Sequence, residues 1–178
     1  MSVDTIREWV FQDWRVNAGR PEQQVLLALF RLAQRAASRW GRARLVAVVP
    51  YWIVSSLLGI ELPVGAAVGP RLRLYHMSGI VLSPHCTVGS DCQLRHGVTV
   101  GNTVDRAGRE LGVATIGDGV ELGAGCAVIG GIHVGDHARI GALATVTKSV
   151  PPWGVVVGNP GQLIRVEAPA SQGTGLLP

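Results

Sequence analysis

Five histidines and three cysteines are the side chains in this 178-residue sequence best suited to chemistry near neutral pH. An imidazole can take and return a proton, a thiolate can attack a carbonyl, and either can hold a metal. The histidines are His76, His85, His96, His133 and His137, and the cysteines are Cys86, Cys92 and Cys126. Glu61 stands fifteen residues before His76, and Tyr75 directly before it. What these groups can do depends on which of them the fold brings together.

The scaffold shows as a six-residue beat. Leu62, Val68, Leu74, Ile80, Cys86, Cys92 and Val98 are spaced six apart, and the beat resumes at Ile116, Leu122, Val128, Val134, Ile140 and Val146. At 47% apolar residues, thirteen such hits have chance odds below roughly one in a thousand, so the period is real. Short fixed periods mark a parallel β-helix in which each hexad makes one side of a triangular coil. Three hexads give an expected coil of eighteen residues, and the chain holds roughly five coils. The position four after the beat reads as a second, small inward site, at Ala66, Ser78, Ser90, Cys126, Ala138 and Ala144. Glycines after the beat, at Gly69, Gly117, Gly123, Gly135 and Gly141, are expected to relieve tight corners. Val98 to Ile116 is eighteen residues, so the register is expected to survive a polar loop at about 102–112. A loop of that length on a rigid scaffold reads as functional.

Residues 1–60 lack the beat and read as a helical segment. Ile6, Val10 and Trp14 share one face of a first helix, and a second runs from Glu22 to Trp40, ended by Gly41. The uncharged stretch from Leu45 to Ile60 is short for a membrane span, which needs about 20 residues, and reads as a helix closing the mouth of the first coil. The expected organisation is therefore a helical cap at 1–60, a β-helix at 61–166 and a flexible tail at 167–178. The class is mainly β. Residues 1–44 carry eight Arg against four acids, and the remainder is balanced. Arg31, Arg35, Arg39 and Arg42 form a stripe read as a solvated face, with peripheral contact to anionic lipid as the alternative. No motif for nucleic acid is present. The three cysteines read as buried thiols, which with no secretory signal points to the cytoplasm.

From Gly59 to Val166 the residues resemble the left-handed hexapeptide-repeat acyltransferases. Tyr75-His-Met-Ser-Gly-Ile-Val resembles the catalytic His segment of serine acetyltransferases. Gly119-Val-Glu-Leu-Gly-Ala-Gly and the closing Val150-Pro-Pro-Trp and Gly158-Asn-Pro-Gly fit the same pattern. Leu94-Arg-His-Gly-Val-Thr-Val-Gly-Asn, with Glu61 in place of an Asp, is more similar to the polysaccharide branch typified by colanic-acid acetyltransferases. The left hand of the coil is what the resemblance implies.

The resemblance implies transfer of an acetyl group from acetyl-CoA to a hydroxyl. An alcohol is a poor nucleophile, so a base must take its proton as it attacks the thioester. His76 is the expected base. It lies two residues past Leu74 and should point outward, with Glu61 expected beside it on the stacked rung to orient the ring. His96, four after Cys92, falls at the small inward position, which reads as buried; the family pattern puts it near the acceptor, with Tyr75. Asn102, Thr103, Ala124, Arg139, Ala142 and Lys148 match positions that line the CoA groove between subunits of a homotrimer. Arg139 and Lys148 are the expected phosphate contacts. His85, His133 and His137 read as exposed corner residues.

No metal is expected. The γ-class carbonic anhydrases use three His ligands on a similar fold, but His96 and His133 differ by thirty-seven residues and no stacked set emerges. Two departures weigh against free L-serine as acceptor: Tyr75 replaces the acid before the active His, and Val113 falls where a second active-site His stands. Asp13 or Asn17 could compensate in part. The expected acceptor is a saccharide or small hydroxylated metabolite, and the alternative is a serine O-acetyltransferase feeding cysteine synthesis. The short helical segment favours a trimer over a hexamer.

Overall fold

The computed structural model describes residues 3–39 and 41–167; the expected tail, apart from Glu167, lies outside the described residues. Three stacks of short parallel strands wind around one apolar column. The first side stacks Ala67–Val68, Thr87–Val88, Thr115–Ile116 and His133–Val134. The second stacks Arg73–Tyr75, Gln93–Arg95, Glu121–Leu122, Arg139–Ile140 and Gly154–Val157, with Gln162–Val166 added antiparallel. The third stacks Val81–Leu82, Thr99–Val104, Ala127–Ile129 and Thr145–Val146, and Glu61 bridges to Val81 at its start. Leu74, Leu94 and Leu122 stack along one side, and Leu82, Val100 and Val128 along another, all nearly without exposure.

The coil is not uniformly eighteen residues long. Eighteen holds for Val81 to Thr99, Thr115 to His133 and Glu121 to Arg139. Ala67 pairs with Thr87 and Arg73 with Gln93, a coil of twenty. Thr87 pairs with Thr115 and Gln93 with Glu121, a coil of twenty-eight. Successive sides begin six residues apart until Arg73 to Val81, which is eight, so the two extra residues lie in the corner after Tyr75. The other insertion is the arm after Val100, ten residues (28 − 18). Two and ten make twelve, or two hexads. The beat therefore runs on unbroken across the arm only because the two insertions together make whole hexads.

This corrects the reading of the lower coils. Ile80, Cys86, Cys92 and Val98 are buried, but they precede by two the residues that continue the columns of Leu62, Val68 and Leu74, namely Leu82, Val88, Leu94 and Val100. The loop is also more ordered than expected: Thr99–Val104 and Glu110–Val113 pair as an antiparallel hairpin. The glycines after the beat answer to crowding more than to corner strain. A Cβ at Gly69 would stand 2.6 Å from the Gly89 carbonyl carbon, and one at Gly123 would stand 2.5 Å from the Ala142 nitrogen.

Helix α1 spans Val3–Val10, α2 Pro21–Arg39 and α3 Leu45–Leu57. Trp14 falls beyond α1 and is exposed, so it does not complete that helix's face. Leu26, Leu27, Phe30 and Ala33 of α2 and Tyr51 of α3 share the buried cluster of Leu62, Leu72 and Leu74, so the helices close the first coil as expected.

The cap also solves a backbone problem. The first coil has no coil below it, and its unpaired N–H and C=O groups need partners. Asp13 Oδ1 accepts from the Leu72 N–H at 2.8 Å, and Asn17 Oδ1 accepts from Leu74 at 3.1 Å. Asn17 Nδ2 donates to the Leu72 carbonyl at 2.8 Å. Arg31 donates to the carbonyls of Val68 (2.7 Å) and Gly69 (2.6 Å), and its Nε meets Asp13 Oδ2 at 2.7 Å. Arg31, Asp13 and Asn17 are all buried. Arg31 is thus a latch and not part of a solvated or lipid-facing stripe, and Asp13 and Asn17 are committed to the first coil and not to an acceptor. The side chains of Arg39 and Arg42 lie outside the described residues. Among the described residues no helix is long and apolar enough to cross a membrane.

Candidate active site

The two-residue insertion turns His76 out of the stack. His76 has φ +56°, a left-handed conformation that costs a residue with a Cβ. The other non-glycine residues in this conformation occupy corners that repeat from coil to coil. Arg71, Asp91, His137 and Trp153 form one such column, and Leu143 follows Gly79, Gly97 and Gly125 in another. His76 belongs to neither. A tight turn, in which the Ser78 N–H donates to the His76 carbonyl at 3.0 Å, holds it at the end of strand Arg73–Tyr75.

His96 meets it there. The Gly97 N–H donates to the Ser78 carbonyl, the Gly125 N–H to the His96 carbonyl, and the Leu143 N–H to the Ala124 carbonyl. One edge of the coil therefore stacks Ser78, His96, Ala124 and Ala142. The His76 and His96 ring centroids are 6.0 Å apart with planes at 75°. His96 is exposed, not buried, because the frame shift of two moves it from the inward position to a corner.

Glu61 is placed differently from expectation. Its backbone pairs with Val81, not with His76, and the residue stacked above Tyr75 is Arg95. Glu61 is exposed and lines a groove of about 380 Å³ between α3 and the first coil, with Tyr51, Trp52 and Ser55. It remains close to the same corner, since the Gly79 N–H donates to the carbonyl of Gly59 two residues before it.

Of the residues expected at the CoA groove, Ala124, Arg139 and Ala142 line one cleft of about 540 Å³ together with Arg95, Glu121 and Arg165. Asn102 and Thr103 lie on the hairpin arm and do not line it, and neither does Lys148, which is exposed. Arg139 already pairs with Glu121 at 3.5 Å and Glu167 at 3.6 Å, so its charge is partly committed. Tyr75 is the centre of a cluster that sequence reasoning did not find. The guanidinium of Arg20 lies 4.8 Å from its ring centroid and that of Arg95 4.9 Å. Its hydroxyl meets Arg73 Nη1 and Gln93 Oε1, each at 3.3 Å. Arg95 and Gln93 could have been found from a strand period of two and a coil of twenty, but Arg20 comes from a distant helix start.

Cys86, Cys92 and Cys126 are buried, as expected. Burial pushes the Cys86 and Cys92 thiols up to about 11 and Cys126 to about 12, which leaves them poor nucleophiles. His85, His133 and His137 are exposed, and His137 stacks on Trp153 at 4.3 Å. Among the described residues no group of three His, Cys, Asp or Glu is placed to hold a metal ion.

Residues 114–148 match the model of the bacterial transferase hexapeptide family (six repeats). Over 135 residues the chain is 41% identical to a serine acetyltransferase of Mycobacterium tuberculosis, covering 75% of this chain and 58% of that protein. The chain is similar to serine acetyltransferases. It spans a little over half the length of that curated relative. Among solved structures, the serine acetyltransferase of Brucella abortus superposes with a TM-score of 0.73 at 26% identity, covering 90% of this chain and 72% of the other. The Neisseria gonorrhoeae serine acetyltransferase in complex with serine superposes with a TM-score of 0.72 at 25% identity, covering 89% and 69%. These serine acetyltransferases give the expected polysaccharide branch no support.

Proposed function

We propose that this chain is an acetyl-CoA-dependent O-acetyltransferase whose acceptor is L-serine. The observation that carries this reading is the 41% identity to a named serine acetyltransferase across 135 residues, a stretch long enough to take in most of the coil. The placement of His76 supports it: a left-handed residue at the two-residue insertion, with its ring near that of His96, which lies on the edge that carries Ala124 and Ala142.

In the proposed reaction His76 takes the proton of the serine hydroxyl as its oxygen attacks the thioester carbonyl carbon. A tetrahedral oxyanion forms and collapses, the C–S bond breaks, and the departing CoA sulfur receives the proton from the imidazolium. The products are O-acetylserine and CoA. Glu61 is proposed to steady the imidazolium from across the corner, and His96 to face the acceptor. The pantetheine arm is proposed to run along the edge at Ala124 and Ala142, where short side chains leave room, with Asn102, Thr103 and Lys148 contributed across the subunits of a homotrimer.

The test is CoA release from acetyl-CoA by the purified protein, with L-serine compared against neutral sugars and nucleotide sugars. Saturable turnover with L-serine is expected. Turnover with a sugar and none with L-serine would overturn the reading.

A further inference from the structure

The replacement of an acid by Tyr75 removes a familiar way to hold an amino acid, yet the structure surrounds Tyr75 with positive charge. Arg20 and Arg95 each lay a guanidinium against its ring, at 4.8 and 4.9 Å. Arg73 donates to its hydroxyl and, through Nε, to the Val16 carbonyl at 2.8 Å. Among the described residues none of these three arginines has an ion pair with a carboxylate, whereas Arg71 pairs with Asp91, and Arg139 with Glu121 and Glu167. Three cations crowded around one phenol repel one another, and an anion brought among them relieves that repulsion.

Location decides which anion. Tyr75 and Arg95 stack on neighbouring rungs, and the next residue on each rung is a histidine of the candidate site, with rings 6.0 Å apart. In a 3-hydroxy amino acid the carboxylate lies two carbons from the reacting hydroxyl, so a hydroxyl at His76 brings the carboxylate to the adjoining arginines. A guanidinium holds a carboxylate by two parallel charge-assisted hydrogen bonds, and one already laid flat on an aromatic ring loses less freedom on binding. Arg73 is tied to Val16 and the Tyr75 hydroxyl, which leaves Arg95, exposed, and Arg20, half-buried, as the groups able to meet a ligand.

We infer that Arg95, with Arg20 across the Tyr75 ring, binds the carboxylate of the acceptor and so selects a hydroxy acid over a neutral sugar. The inference rests on the serine reading above and names the residues that replace the polar groups lost at Tyr75 and Val113. Tyr75 is a positioning residue here, a platform for both guanidiniums.

The test compares Arg95→Gln, Arg95→Lys and Arg20→Gln with wild type, using L-serine and L-serinamide, which keeps the hydroxyl and the ammonium and lacks the carboxylate. A charged hydrogen-bond partner of this kind is worth about 10- to 100-fold in binding. Arg95→Gln is expected to raise the KM for L-serine by about that factor, well beyond any rise in the KM for acetyl-CoA, and to change the rate on L-serinamide far less than the rate on L-serine. Arg95→Lys is expected to recover part of the loss, and Arg20→Gln to show a smaller rise. An unchanged KM for L-serine in both Gln variants overturns the inference and leaves the serine reading standing, and so does a rise in the KM for acetyl-CoA alone, which would assign the arginines to CoA phosphates. A wild-type protein without turnover on L-serine overturns the reading and the inference with it. Far-UV circular dichroism and thermal melting of each variant separate a lost contact from a lost fold.

Discussion

The coils from Ala114 to Lys148 and those from Glu61 to Val100 have the same sides and the same apolar columns, but they differ in regularity. The upper coils keep eighteen residues from rung to rung, and it is they that match the hexapeptide family. Their two histidines sit on a strand or on a corner that repeats in every coil. The lower coils carry a corner two residues too long, and that corner presents His76 beside His96. The hexad builds a stiff column and repeats the same outward environment at every turn. A unique side-chain geometry needs a local break in that repeat, and the two-residue insertion after Tyr75 is where the candidate chemistry lies.

Removing the break is the severest way to test this contrast. Deleting Met77 and Ser78 would give the first coil the eighteen residues of the regular upper coils and carry His76 into a regular corner. Turnover on L-serine is expected to fall by about 10²- to 10⁴-fold, the usual worth of a positioned base, while the far-UV spectrum of a parallel β-helix persists. A rate within tenfold of wild type would mean that the insertion does not present the base.

The lower coils also depend on a polar latch that the upper coils do not need. Arg31→Met leaves Asp13 buried without its counter-charge and the Val68 and Gly69 carbonyls without their donor. Urea unfolding is expected to show a loss of about 3–5 kcal/mol. A loss below about 1 kcal/mol, the worth of an exposed pair, would show that the latch is solvated in solution.

Leu122, in the regular part, fills the column between Leu94 and Ile140 and is 1% exposed. Leu122→Ala is expected to cost about 2–5 kcal/mol in stability and to leave the turnover of the folded protein within about twofold of wild type. A large fall in turnover from the folded variant would mean that chemistry extends into the regular coils.

The smallest effect should treat both regions alike. Cys86 and Cys92 in the lower coils and Cys126 in the upper are all buried, and burial raises each thiol above its ordinary value of about 9. The unfolded chain releases these protons first, so the stability they contribute is whole below about pH 9 and declines as pH rises toward 11. Iodoacetamide at pH 8 is expected to leave all three unlabelled in the native protein and to label all three in denaturant. Rapid native labelling of Cys86 and Cys92 alone would show that the lower coils open more readily than the upper.

Much of the architecture was legible in the sequence because one large apolar residue per side is a strong physical demand. The helical cap was legible from the loss of that demand before residue 60. The misreadings within the lower coils share one cause: insertions of two and ten residues sum to two hexads, so the period alone gives no sign of either. That error moved Ile80, Cys86, Cys92 and Val98 by two positions, turned His96 inward and set Glu61 on the wrong rung. The five residues Tyr75 to Gly79 between Leu74 and Ile80 match the spacing of every other hexad, so the insertion there left no mark on the beat. The roles of Arg31, Asp13 and Asn17 could not be read from periodicity, because they bond to backbone groups more than thirty residues away. Arg31 on a helix with Arg35 looks like part of a basic face until the carbonyls it meets are known.

The most direct measurement is CoA release with L-serine by His76→Ala beside wild type, with acetyl-CoA affinity determined on both by calorimetry. The account predicts turnover reduced by about 10²- to 10⁴-fold and acetyl-CoA affinity unchanged within about twofold. Wild-type turnover in His76→Ala would contradict it, and would remove the inserted corner from the chemistry.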